Sequence, residues 1–168
     1  MSELKRHAIP EGVETEGWTL DVSGSVGRPL QLERRDLTAF PVETFTEDFA
    51  CTEGWVAEGL SWRGIRLGEL LDCAAPAAGS ECALVRASDG EYACSFTIDR
   101  LAESLLAVEL DGDPLPPEHG GPARLVPTDS DSDCWESIKW VSEIELGTSS
   151  LAAESTARGT ALGRIDGA

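Results

Sequence analysis

Residues 81–110, ECALVRASDGEYACSFTIDRLAESLLAVEL, decide the fold class of this chain. Their apolar patterns predict strands over 81–86, 92–98 and 106–110, and the turn residues at 88–90 separate the first two. A helix is predicted over 100–105, with Asp99 as its N-cap. Short strands joined by a tight turn and a short helix are typical of a β-rich α+β domain with mixed sheets.

The same kind of short element continues on both sides of this stretch. The spacing of apolar residues predicts helices over 34–40 and 67–74. Short runs of apolar residues, several of them alternating with polar ones, predict further strands over 18–22, 30–32, 42–51, 62–65, 125–126 and 138–146. Residues 116–124 are rich in proline and glycine and predict an ordered loop without regular structure. The domain is predicted at 17–147, between an N-terminal segment over 1–16 and a flexible tail over 148–168.

The charge of the chain excludes several kinds of partner. Its 168 residues carry 31 acidic and 13 basic side chains, a net charge of −18. Nucleic acids and anionic membranes do not fit, because binding phosphate takes clustered Lys and Arg. No apolar run approaches the length of a membrane span. An acidic surface with only two lysines is typical of salt-loving organisms, where salt screens self-repulsion.

The five cysteines indicate a reducing compartment. Their number is odd, and no two are separated by the two residues typical of a zinc knuckle. A disulfide framework is therefore not expected, and a cytoplasmic location is. Cys73, Cys82 and Cys94 lie among apolar neighbours and are predicted to be structural.

Three irregular segments are candidates for chemistry. Cys51 ends a predicted strand before the glycine turn at Gly54, and is either a small buried side chain or a thiolate ligand for a soft metal. The loop from His119 to Arg124 is either a rigid turn with a surface arginine or a site that offers imidazole and guanidinium to a phosphate. Lys139, one of the two lysines, either faces solvent from a strand or joins such a site.

Taken together and in this order, these segments resemble the molybdopterin-binding domain of the sulfite oxidase family. That family includes eukaryotic sulfite oxidases, assimilatory nitrate reductases and the bacterial methionine-sulfoxide reductase catalytic subunit. The likeness rests on WTLDVSG (18–24), PLQL (29–32), FACTEGW (49–55), WRGIRLGELL (62–71), DGDPLP (111–116), HGGPARLVP (119–127) and IKWVSEIEL (138–146).

The resemblance implies a role for each matching position. Cys51 would be the catalytic residue and the protein ligand of molybdenum. The molybdopterin would be held by Cys51 and by Ser88, Asp89, His119, Arg124, Trp135, Glu136 and Lys139. The implied reaction is a two-electron oxygen-atom transfer on a small oxo-anion or a sulfoxide-type substrate, with an electron-transfer partner. Arg124→Lys is expected to lose cofactor and leave the stability of the apoprotein nearly unchanged.

Two departures from the family keep a second hypothesis open. Glu136 stands where the family usually has a basic residue, and the residues before Trp18 lack the family's usual pterin-contacting stretch. The chain is therefore either a stand-alone, haloarchaeal molybdoenzyme or a cofactor-free scaffold that acts as a binding module. The intact positions Cys51, His119, Arg124 and Lys139 favour the enzyme.

Overall fold

The structure, a computed structural model, describes residues 17–50, 56–88, 92–128 and 137–148. Within them the chain forms ten strands: β1 Thr19–Gly24, β2 Leu30–Glu33, β3 Glu43–Ala50, β4 Val56–Arg66, β5 Cys82–Ala87, β6 Ala93–Thr97, β7 Leu105–Leu110, β8 Asp113–Pro114, β9 Arg124–Val126 and β10 Val141–Gly147. The helices are α1 Leu67–Ala74, α2 Ile98–Glu103, and two short 3-10 helices, Arg34–Ala39 and Pro117–His119.

The strands form two five-stranded sheets. The first has the order β2-β1-β10-β5-β6, in which β1 and β10 pair in parallel and the other neighbours pair antiparallel. The second has the order β3-β4-β7-β8, with β9 also pairing with β7, and it is antiparallel throughout. The predicted α+β architecture with mixed sheets is confirmed.

Strand β7 faces two apolar clusters. Leu106 belongs to the main core, which also contains side chains of β1, β10 and α1. Leu105 and Ala107 belong to a second cluster, with Leu60, Trp62, Leu115 and Val126. Successive side chains of a strand point to opposite faces of its sheet, so β7 contributes to both clusters. The second cluster is the one that borders the candidate site.

The predicted helix over 67–74 is confirmed as α1, and the next residue, Ala75, adopts a left-handed conformation with φ 55°. Helix α2 begins two residues earlier than predicted. Its N-cap is Thr97, whose Oγ1 accepts a hydrogen bond from the N–H of Arg100 at 3.3 Å, so Asp99 lies inside the first turn and the Asp99 cap was wrong.

Other boundaries also differ from the sequence prediction. The strand predicted over 62–65 is the end of β4, which begins at Val56 because it pairs with β3 over most of its length. The strand predicted over 138–146 begins at Val141, because Trp140 has a φ of 53° and leaves the extended conformation. The segment 116–124 contains a 3-10 helix, and Arg124 already belongs to β9.

No described helix is long and apolar enough to span a membrane, and the cytoplasmic location stays a prediction.

Candidate functional site

The site loop, residues 116–121, lies between β8 and β9. Its last three N–H groups donate to the carbonyls of Pro116 and Pro117 at 2.9–3.0 Å. Gly120 has a φ of 101°, in the left-handed region that favours glycine. A Cβ on Gly121 would collide with a neighbouring backbone carbonyl. Both glycines of the motif are therefore required by the shape of the loop.

The segment that precedes β10 packs against the site loop. The backbone N–H of Trp140 donates to the carbonyl of Gly120 at 3.0 Å, and its indole Nε1 donates to the carbonyl of Pro117 at 2.8 Å. A Cβ on Gly120 would lie 2.7 Å from Cγ of Lys139, which shows how closely the loop backbone approaches that side chain. Lys139 is thus brought beside the loop that carries His119.

Arg124 connects the site loop to the same segment. Its Nε donates to the Oγ of Ser137 at 2.8 Å, and its Nη1 donates to the carbonyl of His119 at 3.1 Å. Its Cζ lies 5.2 Å from the ring centroid of Trp62. The side chain is only 3% exposed. Because Arg124 is buried and bonded, we now expect Arg124→Lys to lower the stability of the apoprotein, contrary to the prediction from the sequence.

Ser88 and His119 complete the group. The N–H of Ser88, at the end of β5, donates to the carbonyl of Trp140 at 2.8 Å. Its buried Oγ has no hydrogen-bond partner within the described part of the chain. His119 is 7% exposed, so its imidazole lies inside the structure. The structure therefore brings His119, Arg124 and Lys139 together at the site loop and places Ser88 beside Trp140, which is bonded to that loop.

A family model described as an oxidoreductase molybdopterin binding domain matches residues 6–154. The chain belongs to this family. The resemblance found in the sequence is thereby confirmed, and molybdopterin is the cofactor of the family. The bounds predicted for the domain, 17–147, stay a prediction.

Named relatives agree with the family. The chain is 33% identical over 139 residues to the uncharacterized oxidoreductase YuiH of Bacillus subtilis, covering 82% of this chain and 69% of the relative. It is 28% identical over 140 residues to the protein-methionine-sulfoxide reductase catalytic subunit MsrP of Campylobacter jejuni, covering 73% of this chain and 47% of that protein. It is 29% identical over 156 residues to a nitrate reductase [NADPH] of Fusarium oxysporum, covering 77% of this chain and 17% of that protein.

The fold has a counterpart among solved structures. The sulfane dehydrogenase SoxCD from Paracoccus pantotrophus superimposes with a TM-score of 0.77 at 24% sequence identity, covering 85% of this chain and 41% of that chain. This likeness establishes the shared fold. The chain spans less than half of the MsrP, nitrate reductase and SoxCD chains, so the activities of those whole proteins are not transferred by similarity alone.

The described residues fit an anionic molybdopterin. Arg124 and Lys139 bring two cationic side chains to the site loop. The buried hydroxyl of Ser88 lacks a partner among the described residues, and such a group costs about 1–3 kcal/mol unless it is bonded. Guanidinium, ammonium and hydroxyl groups all donate to phosphate oxygens, and the guanidinium does so as a planar fork.

The other predicted site residues, Cys51, Asp89, Trp135 and Glu136, lie outside the described residues, and their roles stay predictions. In sequence, Cys51 directly follows β3, and Glu136 directly precedes the serine that accepts from Arg124.

The described cysteines, Cys73, Cys82 and Cys94, are not arranged as metal ligands. Cys82 and Cys94 are buried, as expected of structural cysteines among apolar neighbours, but Cys73 on α1 is exposed, so the prediction that it too packs among apolar residues is wrong. Burial, assisted by the nearby Glu81, raises the pKa of the Cys82 thiol, and its Sγ donates to a backbone carbonyl at 2.9 Å. The described part of the chain holds no group of three or more His, Cys, Asp or Glu side chains arranged for a metal ion.

Sequence reasoning missed two residues that contact Arg124. The sequence placed Trp62 in a strand and in the family-like segment 62–71 without a role in the site, and it assigned no role to Ser137. One signal was present: Arg124 lies between the apolar residues Ala123 and Leu125, and a charge buried among apolar residues requires partners. The sequence does not say which partners these are.

Proposed function

We propose that this chain is a molybdopterin-dependent oxidoreductase that holds its cofactor around the site loop. One observation carries the proposal: Arg124 and Lys139 meet at the loop of His119, and Ser88 is bonded to the neighbouring Trp140, although the chain has a net charge of −18. Two cationic side chains, with a nearby buried hydroxyl that has no partner among the described residues, suit an anionic ligand.

The cofactor, when bound, supplies two-electron redox chemistry at its molybdenum, and the protein supplies orientation and electrostatics. Arg124, held by Ser137 and the carbonyl of His119, would place its permanent positive charge beside the pterin phosphate. Lys139 would add a second positive charge, and Ser88 a hydroxyl donor. Cys51 is proposed as the thiolate ligand of the metal, which favours soft donors.

The proposed reaction is oxygen-atom transfer on a small oxo-anion or a sulfoxide-type substrate. The names of two similar proteins, a methionine-sulfoxide reductase subunit and a sulfane dehydrogenase, support sulfur-centred chemistry. A two-electron reaction also requires an electron-transfer partner, which we propose to be a separate molecule.

One observation favours the alternative of a cofactor-free scaffold. Arg124 is already bonded to Ser137 and to the carbonyl of His119 and makes a cation–π contact with Trp62, so the site residues hold each other without a ligand. In that case the same fold would act as a binding module.

The test compares Cys51→Ser with Cys73→Ser, a control at the exposed cysteine of α1. The proteins are produced in a host that makes the cofactor, and molybdenum and pterin per chain are measured together with sulfoxide-reductase activity. We expect the wild type and Cys73→Ser to carry cofactor and activity, and Cys51→Ser to keep pterin and lose activity. A folded wild type without molybdenum and pterin would support the scaffold instead.

A further inference from the structure

Trp62 lies under Arg124 at the boundary between the second apolar cluster and the site. It sits in β4, its side chain is 0% exposed, and it packs with the apolar residues of that cluster. The guanidinium of Arg124 lies over its ring, with 5.2 Å between Cζ and the ring centroid. This separation is within the range of a cation–π contact.

Trp62 contacts Arg124 through the face of its indole ring, and its indole N–H makes no hydrogen bond among the described residues. Trp62 Nε1 is buried and has no hydrogen-bond partner among the described residues. In contrast, the indole N–H groups of Trp18 and Trp140 donate to backbone carbonyls at 2.7 and 2.8 Å. A tryptophan that makes no such bond still offers the strongest cation–π surface of any side chain.

The ring and the hydrogen bonds fix different degrees of freedom of Arg124. Its bonds to Ser137 and to the carbonyl of His119 restrain the direction of the guanidinium within its own plane. The Trp62 ring, whose centroid lies 5.2 Å from Cζ, adds a contact separate from those hydrogen bonds and limits displacement of the guanidinium toward the second apolar cluster. Contacts from β4, β9 and the site loop therefore hold the guanidinium in one place.

We propose that Trp62 is a positioning residue, which holds the Arg124 guanidinium in place for binding the cofactor. Its effect on the cofactor rests on the proposed function, whereas its effect on Arg124 is a property of the apoprotein. These two parts are measured separately.

The first measurement follows the Nε–H proton of Arg124 by NMR in the apoprotein. Trp62→Leu removes the ring, and Trp62→Phe keeps a smaller aromatic face. The control is Phe96→Leu, because Phe96 is 3% exposed and has Arg100 over its ring at 5.4 Å, on β6. We expect exchange of the Arg124 proton with water to accelerate on the order of tenfold in Trp62→Leu, less in Trp62→Phe, and not in Phe96→Leu.

The second measurement is the amount of pterin and molybdenum retained per chain after dialysis. Retention should follow the NMR order: wild type and Phe96→Leu highest, then Trp62→Phe, then Trp62→Leu. Unchanged protection of the Arg124 proton in a folded Trp62→Phe protein overturns the inference, whatever the cofactor content. Lost protection with full cofactor retention also overturns it. Wild-type protein without cofactor, but with protection lost as expected, refutes the proposed function and leaves the Trp62–Arg124 contact confirmed.

Discussion

Replacing Arg124 with lysine should destabilise the apoprotein as well as weaken cofactor binding. The guanidinium bridges two acceptors, Ser137 Oγ at 2.8 Å and the carbonyl of His119 at 3.1 Å, while lying on Trp62. A lysine ammonium is a compact point charge, which can reach one of these acceptors but cannot span both as a planar fork. The substitution therefore removes one charge-assisted bond and part of the stacking.

The magnitude follows from these contacts. A hydrogen bond to a charged group contributes about 1.5–3 kcal/mol. A desolvated cation–π contact contributes about 2 kcal/mol, of which lysine retains a part. Because Arg124 is only 3% exposed, solvent does little to screen the loss. We expect the free energy of unfolding to fall by about 2–4 kcal/mol.

The assay is urea unfolding of the apoproteins at one fixed, high KCl concentration. Arg34→Lys is the control, because Arg34 is exposed at the start of a 3-10 helix, and surface changes of this kind stay within about 0.5 kcal/mol. A lower midpoint with an unchanged slope reports stability alone. If Arg124→Lys differs from the wild type no more than the control does, the energetic role assigned to these contacts is refuted.

Three further predictions concern charge and protonation. The exposed Cys73 should be alkylated faster than Cys82 near pH 8, because burial raises the pKa of the Cys82 thiol. The protonated Cys82 thiol favours the folded state, and this contribution to the free energy of unfolding is lost as pH rises through the raised pKa. The hydrogen bond from Arg66 lowers the pKa of Glu43, so Glu43→Gln should cost a little stability at neutral pH, and the difference from the wild type should vanish as pH falls through that lowered pKa. The melting temperature should rise steeply between about 0.1 and 1 M KCl, as the Debye length shortens from about 10 to 3 Å; a flat salt dependence would contradict this.

Local pattern was enough to predict much of the fold. The spacing of leucines over 67–74 predicts α1 to the residue, since all four of its buried side chains lie on one face of the helix. The turn residues at 88–90 correctly separate β5 from β6. Capping was harder, because Thr97 and Asp99 are both favourable N-cap residues, and only the path of the chain leaving β6 selects Thr97.

The internal contacts of the site could not be predicted from spacing. Arg124 and Trp62 are 62 positions apart and meet because β4 and β9 both pair with β7. The φ of 53° at Trp140 likewise depends on tertiary contacts, since the residue must reach the site loop with both its backbone and its indole N–H. Motif resemblance identified His119, Arg124 and Lys139 as a group, and the fold supplied the reason they meet.

The acidity of the chain and an anionic cofactor are compatible because they act over different distances. A net charge of −18 repels a phosphate mainly through long-range interactions across solvent, and salt screens these once the Debye length is about 3 Å at 1 M. The bonds of 2.8 and 3.1 Å that hold Arg124 to Ser137 and to the carbonyl of His119 are buried, and salt screens them much less. Raising salt therefore weakens the repulsion and leaves Arg124 in position. For a protein with a basic surface, the effect of salt on phosphate binding is the opposite, because salt weakens the attraction between that surface and the phosphate. A buried cationic site beneath an acidic surface is thus suited to holding an anionic cofactor at high ionic strength.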